Sequence, residues 1–190
     1  MSEPIRYAFK EWAIVCQALA TGRQALILRK GGIAEEGGVF KPTHSRFWLL
    51  PTYLHEHAEG VKPPEGARLA SLTKPPSGTI RLSHYVEVPA VFRALRLDQL
   101  LPLDPLHIWS EATVQQRYHY REPGLYVLPA RVYAIPVPIE VVDEPSYEGC
   151  KTWVDLEQDI PANGTPILSD RDFADILEKI DRAIHVIGNA

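Results

Sequence analysis

Cysteine is scarce. Cys16 and Cys150 are the only two in the chain; two cannot build a disulfide framework, and their separation fits no zinc motif. The expectation is a pair of free, buried thiols in a reducing cytosol. No apolar run approaches the ~18 residues of a membrane span. Met1-Ser2-Glu3-Pro4 lacks the basic-then-apolar order of a secretion signal. Together these absences lead to the expectation of a cytoplasmic protein. Positive charge is also not in excess. A formal net charge of −4 argues against a strongly cationic nucleic-acid coat, although a local basic face depends on distribution and not on the sum. No internal repeat is visible.

Proline, in contrast, is plentiful. Seventeen residues concentrate in 42–76 and 123–166 and favour loops, edge strands and bulges there. With 190 residues, 45% hydrophobic and 23% charged, the chain has the composition of a folded protein, and one domain over 1–190 is the default.

Phe9, Trp12, Ala13, Cys16, Leu19 and Ala20 recur at three- and four-residue spacing, which predicts a helix over 7–20, with Gly22 past its end. Gln24–Lys30 is a short strand, apolar enough to be central in its sheet. It is expected to form a hairpin with a strand over 46–53, through a connection bracketed by Gly31-Gly32 and Gly37-Gly38. Residues 56–79 read as a Pro/Gly-rich surface loop. Residues 79–88 alternate as a strand with one wet face, His84 lying on the apolar side. Leu97–Leu101 allows no more than a helical turn. Ser110 is placed to cap a helix running to about Tyr120. Residues 125–137 form one long strand bulged near Pro129-Ala130. Tyr147, Gly149, Cys150 and Trp153 mark a turn into a further strand and are expected to buttress the structure without doing chemistry. Ser169, with Asp172 at the third helical position and a Leu168/Phe173 staple, opens a C-terminal helix that Gly188 stops. Strands and helices without regular βαβ alternation predict an α+β fold. The expected sheet is mixed or mostly antiparallel, curled as a partial barrel, with N- and C-terminal helices packed on it.

The densest polar chemistry lies between residues 29 and 57. Arg29-Lys30-Gly31-Gly32 has the makings of an anion cradle, because glycines admit a phosphate to the backbone N–H groups and Arg grips it bidentately. It is not a Walker loop. His55-Glu56-His57 offers a general base and acid, but only two imidazoles, too few for zinc. No metal or cofactor is called for. Tyr53 and Arg131 complete the candidate binding set of Arg29, Lys30, Gly31, Gly32, Tyr53 and Arg131, with His55 and Glu56 as candidate catalytic groups.

The pairing of ALILRK with FWLLP is similar to the opening hairpin of Nudix hydrolases, but the Arg-Glu-x-x-Glu-Glu core is absent. The acidic-x-Lys pair of a PD-(D/E)xK nuclease is also absent from every expected strand. A helix, Gly22 and a short strand ending in Arg29 resemble ASCH and other PUA-like RNA-binding barrels. The motifs LRKGGI (28–33), FWLLPTYLHE (47–56), HIWS (107–110), RVY (131–133) and YEGCKTWV (147–154) resemble the bacterial family catalogued as domain of unknown function 1802, over roughly residues 8–157. That resemblance implies association with a restriction-endonuclease-type domain, hence restriction–modification or defence, with any nuclease on a separate chain. It also implies Gln more often than Glu at the position of Glu56.

Two functions follow as expectations. One is a nucleic-acid- or nucleotide-associated binding module charged by Arg23, Arg29, Lys30, Lys41 and Arg46, with Tyr53 and Trp48 as stacking faces. The other is a small hydrolase or transferase acting on a phosphate-bearing substrate through His55 and Glu56.

Overall fold

A computed structural model of the chain describes residues 3–30, 43–53, 56–149 and 151–185. In chain order the elements are β1 (Ile5–Trp12), α1 (Ala13–Ala20), β2 (Leu26–Arg29), β3 (Arg46–Thr52), α2 (Pro63–Leu69), β4 (Thr79–Glu87) and β5 (Phe92–Ala94). They continue with α3 (Glu111–His119), β6 (Leu125–Pro129), β7 (Arg131–Val142), β8 (Trp153–Ile160), β9 (Thr165–Pro166) and α4 (Asp170–His185). A six-stranded sheet runs β8-β1-β3-β4-β7-β9, and a three-stranded sheet runs β2-β6-β5. Among the described residues only the β1–β3 pair is parallel. The fold is α+β with a mixed sheet, as the sequence leads one to expect. No helix of the described residues is long and apolar enough to cross a membrane.

The stretch expected as one helix over 7–20 is half strand. β1 lies between β8 and β3, and a core cluster covers each face of it, so Ala8 and Phe9 are both fully buried although they face opposite ways. A strand covered on both faces loses its polar alternation and imitates a wide helical stripe. Only from Ala13 does the chain become helical, and there six of eight residues are buried.

The expected hairpin does not form either. β2 pairs with β6, whereas β3 pairs with β1 and β4, so the two strands belong to different sheets. Nor is β2 central. It is an edge strand whose Leu26, Ile27 and Leu28 are nevertheless fully buried. A buried edge needs partners for its outward carbonyls, and side chains supply them. Gln24 Nε2 donates to Leu26 O (2.8 Å) and Arg117 Nη1 to Leu28 O (3.3 Å).

Other differences have local causes. Within 56–79, Pro63 and Pro64 occupy the first turn of α2, where a missing N–H costs nothing. The 3-10 helix at Leu97–Leu106 exceeds the single turn expected and accommodates Pro102 and Pro105. A register shift between Leu82 and His84 in β4 turns Tyr85 from the expected wet side into the core, 3% exposed. The strand expected over 125–137 divides at Ala130 into β6 and β7, one for each sheet, and Ala130 N–H donates to Ala25 O (2.9 Å) at the division. Ser110 caps α3 and Ser169 caps α4 as expected, the latter with reciprocal bonding to Asp172. Gly31, Gly32, Gly37, Gly38, His55, Cys150 and Gly188 lie outside the described residues.

The larger core fills the space between one face of the large sheet, the small sheet and helices α1, α3 and α4. It includes Phe9, Phe47, Leu28, Val127, Trp109 and Ile180. A second cluster covers the opposite face of the large sheet, with Trp48, Tyr85, Leu156 and the expected buttress Tyr147. Each side chain so buried contributes roughly 1.5–3 kcal/mol.

His107, 3% exposed, sits among these apolar groups with no hydrogen-bond partner for Nδ1 among the described residues. Burial, helped by the nearby Lys62 ammonium, lowers its pKa from 6.5 to about 4. The folded ring therefore stays neutral where the unfolded ring takes a proton. Stability is full above pH 6.5 and is lost as pH falls from 6.5 toward 4, by up to about 3 kcal/mol from this group. Urea unfolding across that window is expected to show the loss in the wild type and a correspondingly smaller one in His107→Leu.

Candidate nucleic-acid interface

β2 ends in Arg29, and the small sheet sets Arg29 opposite Tyr126 and Tyr126 opposite Arg93. Directly opposed residues share a face, so an aromatic ring lies between two guanidiniums on one row. Arg93 is exposed, and its guanidinium carbon is 5.6 Å from the Tyr126 ring centre. Arg29 reaches across to the large sheet. Its Nη2 donates to Thr152 Oγ1 (2.7 Å), and its guanidinium carbon lies 5.0 Å from the Phe9 ring centre. Beyond Phe9, Trp153 packs edge-on at 5.0 Å. His44 meets Trp153 edge-on at 4.9 Å and stacks on Tyr7 at 3.7 Å and 17°. Burial keeps the His44 pKa below its ordinary value, partly offset by Asp155, which favours a neutral stacking ring. The result is a strip of rings and cations, Arg93, Tyr126, Arg29, Trp153, His44 and Tyr7, half-buried except for the exposed Arg93, in which the fully buried Phe9 lies beneath the step from Arg29 to Trp153.

A buried charge cluster fixes Arg29 in this strip. The Glu11 side chain, 2% exposed, accepts from Trp12 N–H through Oε1 (2.9 Å). Its Oε2 lies 3.7 Å from Arg29 Nη1 and has no hydrogen-bond partner among the described residues. Arg117 supplies a second cation, its guanidinium carbon 3.6 Å from the Trp109 ring centre. Burial lowers the Arg117 pKa to about 10, with Glu11 opposing the shift, so the group remains charged at neutral pH. Removing one member would strand its partner in the interior, which typically costs 3–5 kcal/mol.

The second carboxylate near Glu11 is Glu56. Its Oε1 accepts the Ile14 N–H (3.0 Å), and it also receives the Ala13 N–H, so it satisfies the first turn of α1 from across the chain. Burial nevertheless raises its pKa. Cys16 lies alongside, its thiol pushed well above the ordinary value by burial and then by Glu11 and Glu56; this environment opposes a nucleophilic thiolate. Tyr53 O–H donates to Thr73 O (3.3 Å). Burial raises its pKa too.

The remaining expected residues do not join them. Lys30 donates to Tyr118 O (3.3 Å), Gly124 O (2.7 Å) and Glu122 O, which ties down the end of α3. Burial lowers its pKa, with the neighbouring Arg93 second. Arg131 bonds to Ser169 and Asp170 at the start of α4. Trp48, expected as a stacking face, is fully buried and donates to Ile5 O (3.3 Å). Arg23 pairs with Glu65, and Arg46 with Glu87. Arg29, Tyr53 and Glu56 therefore gather around the β1–α1 junction, Lys30 lies near Arg93 at the end of the strip with its ammonium held by carbonyls, and Arg131 stands apart. Sequence reasoning missed Arg93, Tyr126, Glu11 and Arg117. The three-residue β5 carries too little pattern to announce Arg93, and cross-strand register carries none. Among the described residues, no group of three or more His, Cys, Asp or Glu is disposed to hold a metal ion.

Replacing Glu56 with Ala is expected to cost about 1 kcal/mol, the usual value of a lost helix cap, in equilibrium urea unfolding. Unchanged stability would contradict the capping role.

Among solved structures, the chain is similar to an ASCH protein of Zymomonas mobilis at 10% identity, covering 90% of this chain and 93% of that one, with a TM-score of 0.47. A mutant of that protein gives 10% identity, 92% and 97% coverage and a TM-score of 0.47. Another gives 9%, 90% and 96%, and 0.46. No curated protein matches the chain. The family model described as Domain of unknown function (DUF1802) matches residues 8–179. With its motifs spread over both sheets and the model spanning nearly all of it, the chain belongs to the DUF1802 family.

Proposed function

We propose that this chain is a nucleic-acid- or nucleotide-associated binding module that receives a single-stranded segment along the strip from Arg93 to Tyr7. The observation that carries the reading is the cross-strand row in which Tyr126 lies between Arg29 and Arg93. Rings offer stacking faces to bases of any sequence, and guanidiniums meet phosphates bidentately or stack as planes themselves. The deep anchorage of Arg29 by Glu11 and Thr152 adds to this, because a pre-oriented cation loses little freedom when it binds. An overall charge of −4 fits a local site better than a coat. The association of restriction-endonuclease-type domains with the resembled family supports a role beside a separate nuclease, in restriction–modification or defence.

The test is fluorescence anisotropy with short single-stranded RNA and DNA over a range of salt. For two or three phosphate contacts, the slope of log K against log salt is expected at about −1.4 to −2.1. Tyr126→Ala is expected to weaken binding roughly 5- to 150-fold, the range of a lost base–aromatic stack. Arg93→Glu should weaken binding and flatten the slope by at least ~0.7. No binding at low ionic strength, or equal affinity in the wild type and both variants, would refute the proposal.

A further inference from the structure

A cleft of about 340 Å³ opens between the start of β3, the end of β4, the start of β7 and α4. Its lining includes Arg46, Glu87, Val88, Arg131, Asp170 and Phe173, and none of the residues of the strip. Two cations and two carboxylates balance on its wall, but they are unequally placed. The Arg131 side chain is only 9% exposed, whereas its carboxylate partner Asp170 is 100% exposed. Arg131 Nη1 also donates to Ser169 O (2.9 Å), and its guanidinium carbon is 5.1 Å from the Phe173 ring centre. On the opposite wall Arg46 is more firmly engaged. It lies 3.0 Å from Glu87, donates from Nη2 to Ala162 O (3.2 Å) and stands 5.1 Å from the Tyr85 ring centre. Tyr133 O–H holds the other Glu87 oxygen at 3.0 Å.

We propose that this cleft is a binding site for a small oxyanion, carboxylate or phosphate, that carries an apolar group, and that Asp170 occupies the anion position until the ligand displaces it. A fully solvated carboxylate gains little from its ion pair, because water screens it and pulling away costs it no hydration. An oxyanion seated inside the cleft meets the same guanidinium in a lower dielectric, which strengthens their attraction, and the contact of its apolar group with the cleft wall offsets the hydration it gives up. Arg131, held from behind by Ser169 O, keeps its orientation through the exchange. Arg46, paired with Glu87, adds a second guanidinium on the opposite wall, and Val88, Pro89 and Phe173 give the apolar group its surface. The volume falls at the lower end of that of small-molecule sites, ~300–1,000 Å³.

Phenyl phosphate, benzoate and inorganic phosphate are the probes, titrated while the backbone amides of Asp172 and Phe173 are followed by NMR. Saturable shifts with phenyl phosphate or benzoate are expected, and whichever binds more tightly identifies the anion. Inorganic phosphate should bind more weakly than phenyl phosphate; equal affinity would overturn the apolar half of the proposal. Asp170→Asn, which removes the competitor, is expected to tighten binding roughly fivefold, a gain that no loss of folding can mimic. Arg131→Gln should abolish the shifts while the melting temperature confirms a folded protein. If Asp170→Asn binds no more tightly than the wild type, or if neither phenyl phosphate nor benzoate gives saturable shifts, the proposal is wrong.

Discussion

Everything in this fold accommodates an edge strand that is not at an edge of the molecule. β2 carries three consecutive, fully buried apolar residues, yet among the described residues it has a strand neighbour on one side only. An unpaired carbonyl in such a place costs about 1–3 kcal/mol, so the outer side of β2 must be completed by side chains. Gln24 does this with both ends of its amide, giving Nε2 to Leu26 O and accepting the Ile108 N–H at Oε1 (3.2 Å). Arg117 does it with a charged group, and that choice has further effects. A guanidinium at this depth needs an anion, and Glu11 on β1 lies close enough to favour its charged form. Arg29 shares the same carboxylate. The need to finish one strand thus places a cationic cluster at the seam of the two sheets, where the candidate interface begins.

How much of this could be read in advance varies with the kind of signal. Both α3 and α4 were legible because Ser110 and Ser169 are local caps whose meaning depends on the next three residues alone. β3 and β8 were legible from composition. What failed were the inferences that needed partners. Phe9 and Cys16 share a stripe in sequence but lie on a strand and on a helix in space, because a core on each face of β1 hides the polar alternation that would have told the two apart. The tract ALILRK reads as central since its residues are apolar, whereas its burial comes from Gln24, Leu106 and Arg117, which are up to 89 residues away in sequence. The site shows the same division. Arg29 was identifiable by its position before a double glycine, but its neighbours on the row, Tyr126 and Arg93, are set there only by the register of β6 with β2 and β5. Glu56 stood out as part of a polar triplet; its contact with the first turn of α1 depends on the path of the whole β3 segment.

The two faces of the large sheet carry different burdens. Toward the small sheet, charged groups are folded into the core beside rings, with orphan atoms on Glu11, Arg29 and Trp109. Toward the second cluster, Trp48, Tyr85, Tyr147 and Leu156 pack as an apolar and aromatic layer. Burying a polar group is expensive unless it is hydrogen-bonded or paired, so the seam carries a cost that its ion pairs and ring contacts only partly offset.

The run from Leu125 to Val142 is one extended path that serves two sheets, with Ala130 alone between its halves. Successive side chains of a strand alternate in direction, so a residue inserted near Ala130 would have to be absorbed there. Otherwise it would turn Tyr126 and Val127 outside-in relative to Arg131 and Val132. The same holds for a deletion. Length in this stretch is therefore under a stricter constraint than residue identity. Descendants of this sequence can exchange one apolar side chain for another along it, but changes in length must be sought elsewhere, in stretches such as 70–78 that no sheet register ties down.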